Sequence, residues 1–310
     1  MPYYVDKMLT LARCADIHAS PLPAEPKSHL LKATRDRATD ETCTWPYRQV
    51  VMAALWFVKM VAHEAHNAVS DLTQHLQVWT APHIAAAKKL LAYCKSVRET
   101  TTKMRRPPNF NIISYSDCAY ASEPLGNDKP LRGKGCCIIG IMGSGVIFMM
   151  SKLVASLATS ASDAEKRQVY ITMQKLIGIA HLLAELHLPR TSPAIIYEDN
   201  MNCVASSRNT VSASAMKQLL VESMAVKEAC DRGEIRLIHK PRVDMHADIG
   251  TKTLPSPKFD STVRRSETDA LLKCRIASIG GLCQQRLCCP AIDAMAPAHH
   301  RERVFPLGCE

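Results

Sequence analysis

Four acidic residues in the middle of the chain have the type and setting that suit chemistry. Asp117 closes the apolar run Phe110-Asn-Ile-Ile-Ser-Tyr-Ser-Asp117, and Asp199 closes Ala194-Ile-Ile-Tyr-Glu-Asp199, followed by Asn200. Glu165 lies near the start of a long helical pattern, and Asp248 sits in His246-Ala-Asp-Ile-Gly-Thr-Lys252. Carboxylates that meet from separate elements at strand ends suit two hard divalent cations, because Mg²⁺ wants oxygen ligands and keeps positions open for a substrate phosphate. Each acid has a plainer use as well. Asp117 can cap a turn, and Asp248 belongs to only a short helix. Asp163 suits the helix N-terminus, where a carboxylate is favoured. Glu198 reads as a strand-end surface charge rather than a ligand, and His246 as a solvated loop histidine that is a lesser candidate for proton transfer.

The elements that must position these residues follow from periodicity. Strands are expected over 110–117, 135–142 and 145–151, with a Gly143-Ser-Gly145 turn between the last two, and again over 194–199 and 234–239. Val169, Met173, Leu176, Ile177, Ala180 and Leu183 recur at helical spacing and predict a helix over 162–187. Shorter helices are expected over 200–207, 212–231 and 244–252. Three antiparallel strands followed by helix, strand, helix, strand, helix give a mixed α/β sheet of five strands flanked by helices.

At these positions the chain resembles the ribonuclease H domain of copia-type retrotransposon polyproteins. The matching motifs are Ser116-Asp117, Ser160-Ala-Ser-Asp-Ala-Glu165, Glu198-Asp199-Asn200 and Ala247-Asp248-Ile-Gly-Thr-Lys252-Thr-Leu254, in the family's order. The resemblance implies a ribonuclease H-like fold and two-metal hydrolysis of the RNA strand of an RNA–DNA hybrid, with two Mg²⁺ ions, or Mn²⁺ in their place. It makes Asp117, Glu165, Asp199 and Asp248 both the catalytic residues and the metal ligands. Asp117 would bridge the two ions, Glu165 and Asp199 would ligate one, and Asp248 the other. Ser160 and Asn200 are candidates for substrate contacts at the 2′-hydroxyl, because hydroxyls and amides both donate and accept. Lys152 and Lys217 match family lysines and are candidates for substrate phosphates. The sequence also departs from the family: Lys217-Gln-Leu-Leu220 and Met224 replace its Lys-His-Ile-Asp and following His, Met149 replaces a Trp, and Lys166 a Tyr. Those departures favour, as the alternative, a catalytically decayed element fragment that keeps only non-specific nucleic-acid binding.

A helical region precedes the sheet. Tyr47 to Ala62 is strongly apolar, a second helix is expected near 64–76, and a third over 81–97 with Pro82 in its first turn. Tyr47-Arg48-Gln-Val-Val51, Pro82-His83-Ile-Ala-Ala-Ala-Lys88 and Leu91-Ala-Tyr93-Cys-Lys95 resemble the segment that links polymerase to ribonuclease H in the same polyproteins. The polymerase aspartates of that family would lie before residue 1, so no DNA synthesis is expected of this chain. Arg105-Arg-Pro-Pro-Asn109 breaks helix and starts the sheet region. Three segments are therefore expected: a helical connection region over 1–106, a ribonuclease H-like domain over 107–255, and a poorly ordered tail over 256–310.

The charge is uneven. The formal net charge is +10, and residues 1–109 carry 15 Lys+Arg against 9 Asp+Glu, whereas 110–255 carry 16 against 14. Lys88, Lys89, Arg105 and Arg106 lie in the densest basic stretch and are the candidate nucleic-acid contacts, although such a run also suits a solvated helix face. Thirteen cysteines lie singly or in pairs in apolar settings, as reduced thiols do, and the tail's Cys and His fit no regular zinc spacing. The start Met-Pro-Tyr-Tyr-Val-Asp lacks a secretory pattern, and no apolar run approaches the roughly 18 residues a membrane span needs. An intracellular setting is expected, in a cytoplasmic particle or the nucleus. The expected partners are an RNA–DNA hybrid and other segments of the polyprotein, with no membrane.

Overall fold

The computed structural model describes residues 1–26, 30, 44–100, 104, 106–120, 132–154, 158, 160–188, 190–207 and 217–268. Residues Met1–Ala277 cluster as one compact unit. The second unit, Ser278–Glu310, lies outside the described residues.

The sheet is built from β1 (Ile112–Ala119), β2 (Lys134–Ile141), β3 (Gly145–Leu153), β4 (Ala194–Glu198) and β5 (Ile235–His239), in the spatial order β3-β2-β1-β4-β5. The first three pair antiparallel, while β4 joins β1 in parallel and β5 joins β4 in parallel. The β2–β3 hairpin turns through Gly143, whose φ of 77° is the left-handed conformation that glycine adopts freely. This is the mixed five-stranded ribonuclease H-like order the sequence predicts. β1 extends two residues past Asp117, so that carboxylate stands within a central strand rather than at its end.

Helices cover both faces of the sheet. One face meets the long helix Ala161–Glu185, through Val169, Met173, Leu176, Ala180 and Leu183, and the helix Lys217–Asp231. These buried residues are three and four apart, the spacing that keeps a helix stripe against one surface. The other face meets the N-terminal helices, labelled in chain order α1 (Pro2–Leu11), α2 (Tyr47–Met60), α3 (His66–Thr73) and α4 (Ala81–Ser96). The remaining helices are then α5 (Ala161–Glu185), α6 (Met201–Ser206), α7 (Lys217–Asp231), α8 (Asp248–Thr251) and α9 (Ser256–Thr268). Val50, Phe57, Leu72 and Leu91 share one core with Ile113, Tyr115, Ile138 and Met149 of the sheet. The helical region is thus the second layer of the fold, continuous in packing with the strands.

Two local features fix this layer. Thr80 and His83 cap α4 reciprocally, and Pro82 occupies its first turn. The Tyr93 hydroxyl donates to Glu64 across 2.6 Å in the buried interior, so Glu64 is held although it sits in an apolar core.

The tail was expected to be poorly ordered from residue 256, but α9 is a regular helix that buries Phe259 and Val263 in the helical core. Ser256, Pro257 and Lys258 hid a helix start, and the four-residue spacing of Phe259 and Val263 was too short a pattern to register. The remainder of the tail, 269–310, lies outside the described residues, as do its cysteine and histidine candidates. Among the described residues no disulfide joins the cysteines, and no helix is long and apolar enough to cross a membrane.

Candidate metal centre

Parallel pairing of β1 and β4 places the first two acids side by side. Ser114 pairs with Ile196 and Tyr115 with Tyr197, so Asp117 and Asp199 both lie two residues further along neighbouring strands. Adjacent strands are about 4.8 Å apart. Asp117 is 3% exposed, on the face that carries Tyr115, and the Tyr115 ring packs against Tyr197 at 5.1 Å and His246 at 4.6 Å. Lys240 caps this cluster, donating to the Tyr115 hydroxyl at 2.9 Å.

Glu165 reaches the same place from the first turns of α5. Ser160 caps that helix by accepting from the Asp163 backbone N–H, which sets the helix start five residues before the carboxylate. Asn200 then holds Glu165, donating from Nδ2 to Oε2, while its Oδ1 accepts from the backbone N–H groups of Asn202 and Cys203 at the start of α6. Carboxylate oxygens of Glu165, Glu198 and Asp199 all lie within 4.8 Å of one another.

Glu198 was not expected in this group. The sequence reading made it a surface charge, but it is fully buried, and neither of its oxygens makes a hydrogen bond of normal geometry, the Asn200 backbone N–H being the nearest help. A signal existed: in alternating β4, Glu198 shares a face with Ala194 and Ile196, both of which pack beneath α5. His246 is corrected likewise, since it is 2% exposed against Tyr115 and not a solvated loop residue.

Asp248 comes from α8, which lies directly on β2. A Cβ on Gly250 would collide with the Cys136 side chain, and Ser151 donates to the Gly250 carbonyl at 2.5 Å, so only glycine permits this approach. Asp248 is buried and doubly ion-paired, to Lys252 Nζ at 2.6 Å and Lys258 Nζ at 3.0 Å. Lys252 Nζ also lies 3.8 Å from Asp117, and Thr251 Oγ1 donates to Asp117. One lysine ammonium therefore stands between two of the four expected ligands.

The electrostatics separate these acids. Burial pushes the Glu165 carboxyl up to about 7, with Asp199 and Asp117 adding to the rise and Asn200 opposing it. Burial likewise lifts Glu198 well above the ordinary carboxylate range, helped by Glu165, Asp117 and Asp199. Asp117 is raised by burial, with Lys252 and the Thr251 hydroxyl pulling the other way. Asp248 is pushed up by burial too, but the two lysines outweigh this and leave it below its usual value. Acids crowded out of water and held near one another are destabilised unless protonated or bound to a cation, so the donor set suits a divalent metal. All-oxygen ligation favours Mg²⁺ or Mn²⁺ over softer ions.

The other expected contacts are more dispersed. Ser160 is exposed, with its hydroxyl engaged in the α5 cap. Lys152 is exposed on the edge strand β3. Lys217 opens α7, and its side chain lies outside what is described. Lys88 and Arg106 are exposed, Lys89 pairs with Glu25 at 2.5 Å, and Arg105 is outside the described residues.

No protein-family model matches the chain. Among curated proteins it is 27% identical over 253 residues to the retrovirus-related Pol polyprotein from transposon RE1 of Arabidopsis thaliana, covering 81% of this chain and 17% of that protein. It is 26% identical over 247 residues to the corresponding polyprotein from transposon RE2 of the same plant, covering 80% and 16%. The polyprotein from transposon TNT 1-94 of Nicotiana tabacum is 24% identical over 217 residues, covering 69% and 16%. The chain thus spans about one sixth of the length of these relatives. Solved structures that align with it include the N-terminal ribonuclease H domain of rv2228c from Mycobacterium tuberculosis (TM-score 0.34, 13% identity, 51% of this chain and 99% of that one). LC11 ribonuclease H1 in complex with an RNA/DNA hybrid aligns with TM-score 0.34 and 13% identity, over 45% of this chain and 93% of that one. Scores this low add nothing to the strand order itself. The chain is a homologue of the retrovirus-related Pol polyproteins of plant transposons, and its sheet has the ribonuclease H-like order.

Proposed function

We propose that this chain is the ribonuclease H segment of a copia-type retrotransposon polyprotein, hydrolysing the RNA strand of an RNA–DNA hybrid with divalent metal ions. The observation that carries the reading is the convergence of Glu165, Glu198 and Asp199 oxygens within 4.8 Å, with Asp117 beside them on the neighbouring strand. Asp117, Glu165, Asp199 and Asp248 are the proposed catalytic and metal-binding residues, with Glu198 added beneath them. When bound, Mg²⁺ or Mn²⁺ would supply a nucleophile from water near neutral pH and offset charge on the leaving oxygen. Asn200 keeps Glu165 aimed at the centre, and Thr251 orients the Asp117 carboxylate. Lys252 neutralises Asp117 and Asp248 while no metal is held, and it must withdraw for Asp248 to serve as a ligand.

Ser160, Asn200, Lys152 and Lys217 are the proposed substrate contacts, and Lys88, Lys89, Arg105 and Arg106 the proposed nucleic-acid contacts outside the site. The hybrid and the remaining polyprotein segments are the proposed partners, in an intracellular particle or the nucleus. A second reading, a decayed fragment that only binds nucleic acid, is favoured by one observation: two lysines already satisfy Asp248. Incubating purified protein with a labelled RNA–DNA hybrid and Mg²⁺ separates the two. Cleavage of the RNA strand that disappears in Asp199→Asn supports the ribonuclease; no cleavage beyond that variant, with the hybrid still bound, supports the decayed fragment.

A further inference from the structure

Outside the carboxylate centre, a cavity of about 500 Å³ opens along the outer edge of β3, between that strand and the N-terminal helices. A volume of that size is ordinary for a small-ligand pocket. Three lysines from three separate elements line it: Lys59 near the end of α2, Lys152 on β3 and Lys175 on α5. All three are exposed, and none is ion-paired among the described residues. Among the described residues, no acidic side chain lines the cavity.

His66 supplies the independent observation. It is only 5% exposed, it lines the cavity, and neither ring nitrogen makes a hydrogen bond of normal geometry, its own backbone being the nearest polar group. An imidazole taken out of water without partners is unfavourable unless something else meets it. Burial lowers its pKa to about 4, and the charges of Lys59, His63 and Lys134 push in the same direction. The ring is therefore neutral at pH 7 and still offers one N–H donor in positive surroundings. The site combines one buried donor, three ammonium groups without an ion-pair partner among the described residues, and an apolar side formed by Leu55 and Ile147. Several cationic groups around one buried donor suit a multiply charged oxyanion such as phosphate.

We infer that this cavity binds a phosphate group of a nucleic-acid strand, at a site separate from the metal centre. The reading of the chain as a nucleic-acid enzyme suggests a strand as the source of the phosphate; the pocket's cationic chemistry stands without it. Ser151 of β3 is in register with Cys136 and, through it, with Asp117, so the edge strand lies two strand spacings, about 10 Å, from that carboxylate. A strand held here would be anchored beside the centre without touching its ligands.

The test uses the full chain in EDTA, so that metal binding plays no part. The His66 ring resonances are followed by NMR while inorganic phosphate, and separately a 12-nucleotide single-stranded DNA, is added. Both probes are expected to shift His66. The salt dependence of DNA binding is then compared with that of the combined variant Lys59→Gln, Lys152→Gln, Lys175→Gln. Loss of three phosphate contacts should flatten the slope of log affinity against log salt by about 2 for a single strand. An unmoved His66 with both probes overturns the site, as does an unchanged slope in a variant whose circular dichroism matches the parent. A response to phosphate without a response to DNA overturns the strand as its source. Because metal is absent throughout, failure here is distinguishable from failure of hybrid cleavage.

Discussion

Replacing Glu198 by Gln isolates the electrostatic strain in the centre. Glu198 is fully buried, and its carboxyl is raised well above the ordinary glutamate range, first by burial and then by Glu165, Asp117 and Asp199. The sign follows from proton binding. Above about pH 4.5 the unfolded chain releases this proton while the folded chain keeps it, so the folded state holds more protons and stability falls as pH rises. An ion-paired carboxylate, with a lowered pKa, does the reverse. A single group of this kind contributes a slope of about 1.36 kcal/mol per pH unit across the interval between the two pKa values. Between about pH 5.5 and about pH 7.5 the metal-free parent should therefore lose stability that Glu198→Gln, which carries no titratable proton there, keeps, at no more than that slope. Urea unfolding in EDTA at the two pH values measures the difference directly. The variant should gain on the parent steadily from the acid end, where the difference is smaller, to the alkaline end, where it is larger. Parallel losses in the two proteins would mean that Glu198 is ionised without penalty in the fold, contrary to its burial. Glu165, raised to about 7, adds to the slope of both proteins alike, and its half-exposed position makes its share smaller.

Other consequences follow from the same geometry. Mg²⁺ or Mn²⁺ should raise the unfolding midpoint, with about 2.7 kcal/mol of stabilisation at a hundredfold excess over Kd, and differential scanning calorimetry should show that gain lost in Asp199→Asn. Lys252→Met removes the ammonium between Asp117 and Asp248, so calorimetric titration should find tighter Mn²⁺ binding than in the parent; weaker binding would make Lys252 a support of the ligands and not a competitor. Phe259→Ala empties a core position under α9 and should destabilise the chain by about 3–5 kcal/mol in denaturant unfolding, whereas a negligible change would return α9 to the tail. Tyr93→Phe removes the hydrogen bond to buried Glu64 and should lower stability by about 1.5–3 kcal/mol, measured the same way.

What the sequence disclosed and what it hid divide along physical lines. The strands were legible because Ile112-Ile113 and Ile195-Ile196 sit in short β-branched runs bounded by polar residues, and α5 because its apolar residues repeat over several turns. Asp117 and Asp199 were legible for the same reason, since a carboxylate that interrupts such a run is conspicuous. Glu198 was missed because it adjoins a stronger candidate, and only the strand's alternation, tied to which face α5 covers, distinguishes a buried acid from an exposed one. The ion pair of Lys252 with Asp248 is a local four-residue contact, but that of Lys258 with Asp248 reaches back from α9 to α8. No local pattern encodes that, since Lys258 is ten residues from its partner. The fusion of the N-terminal helices with the sheet was hidden similarly. Val50 and Phe57 announce a buried helix, but their spacing does not say that Tyr115 and Ile138 are what they meet. The cavity at β3 is less legible still, because Lys59, Lys152 and Lys175 converge only once the edge strand is placed.

Asp117, Glu165, Glu198 and Asp199 are proposed to form one cation site. Crystals of the full chain grown with millimolar Mn²⁺ and measured at the manganese absorption edge test it most directly. An anomalous peak bounded by oxygens of Glu165, Asp199 and Asp117, above Glu198, is the expected result. Absence of a peak there, or a peak elsewhere with these carboxylates still bound to Lys252 and Asn200, would contradict it.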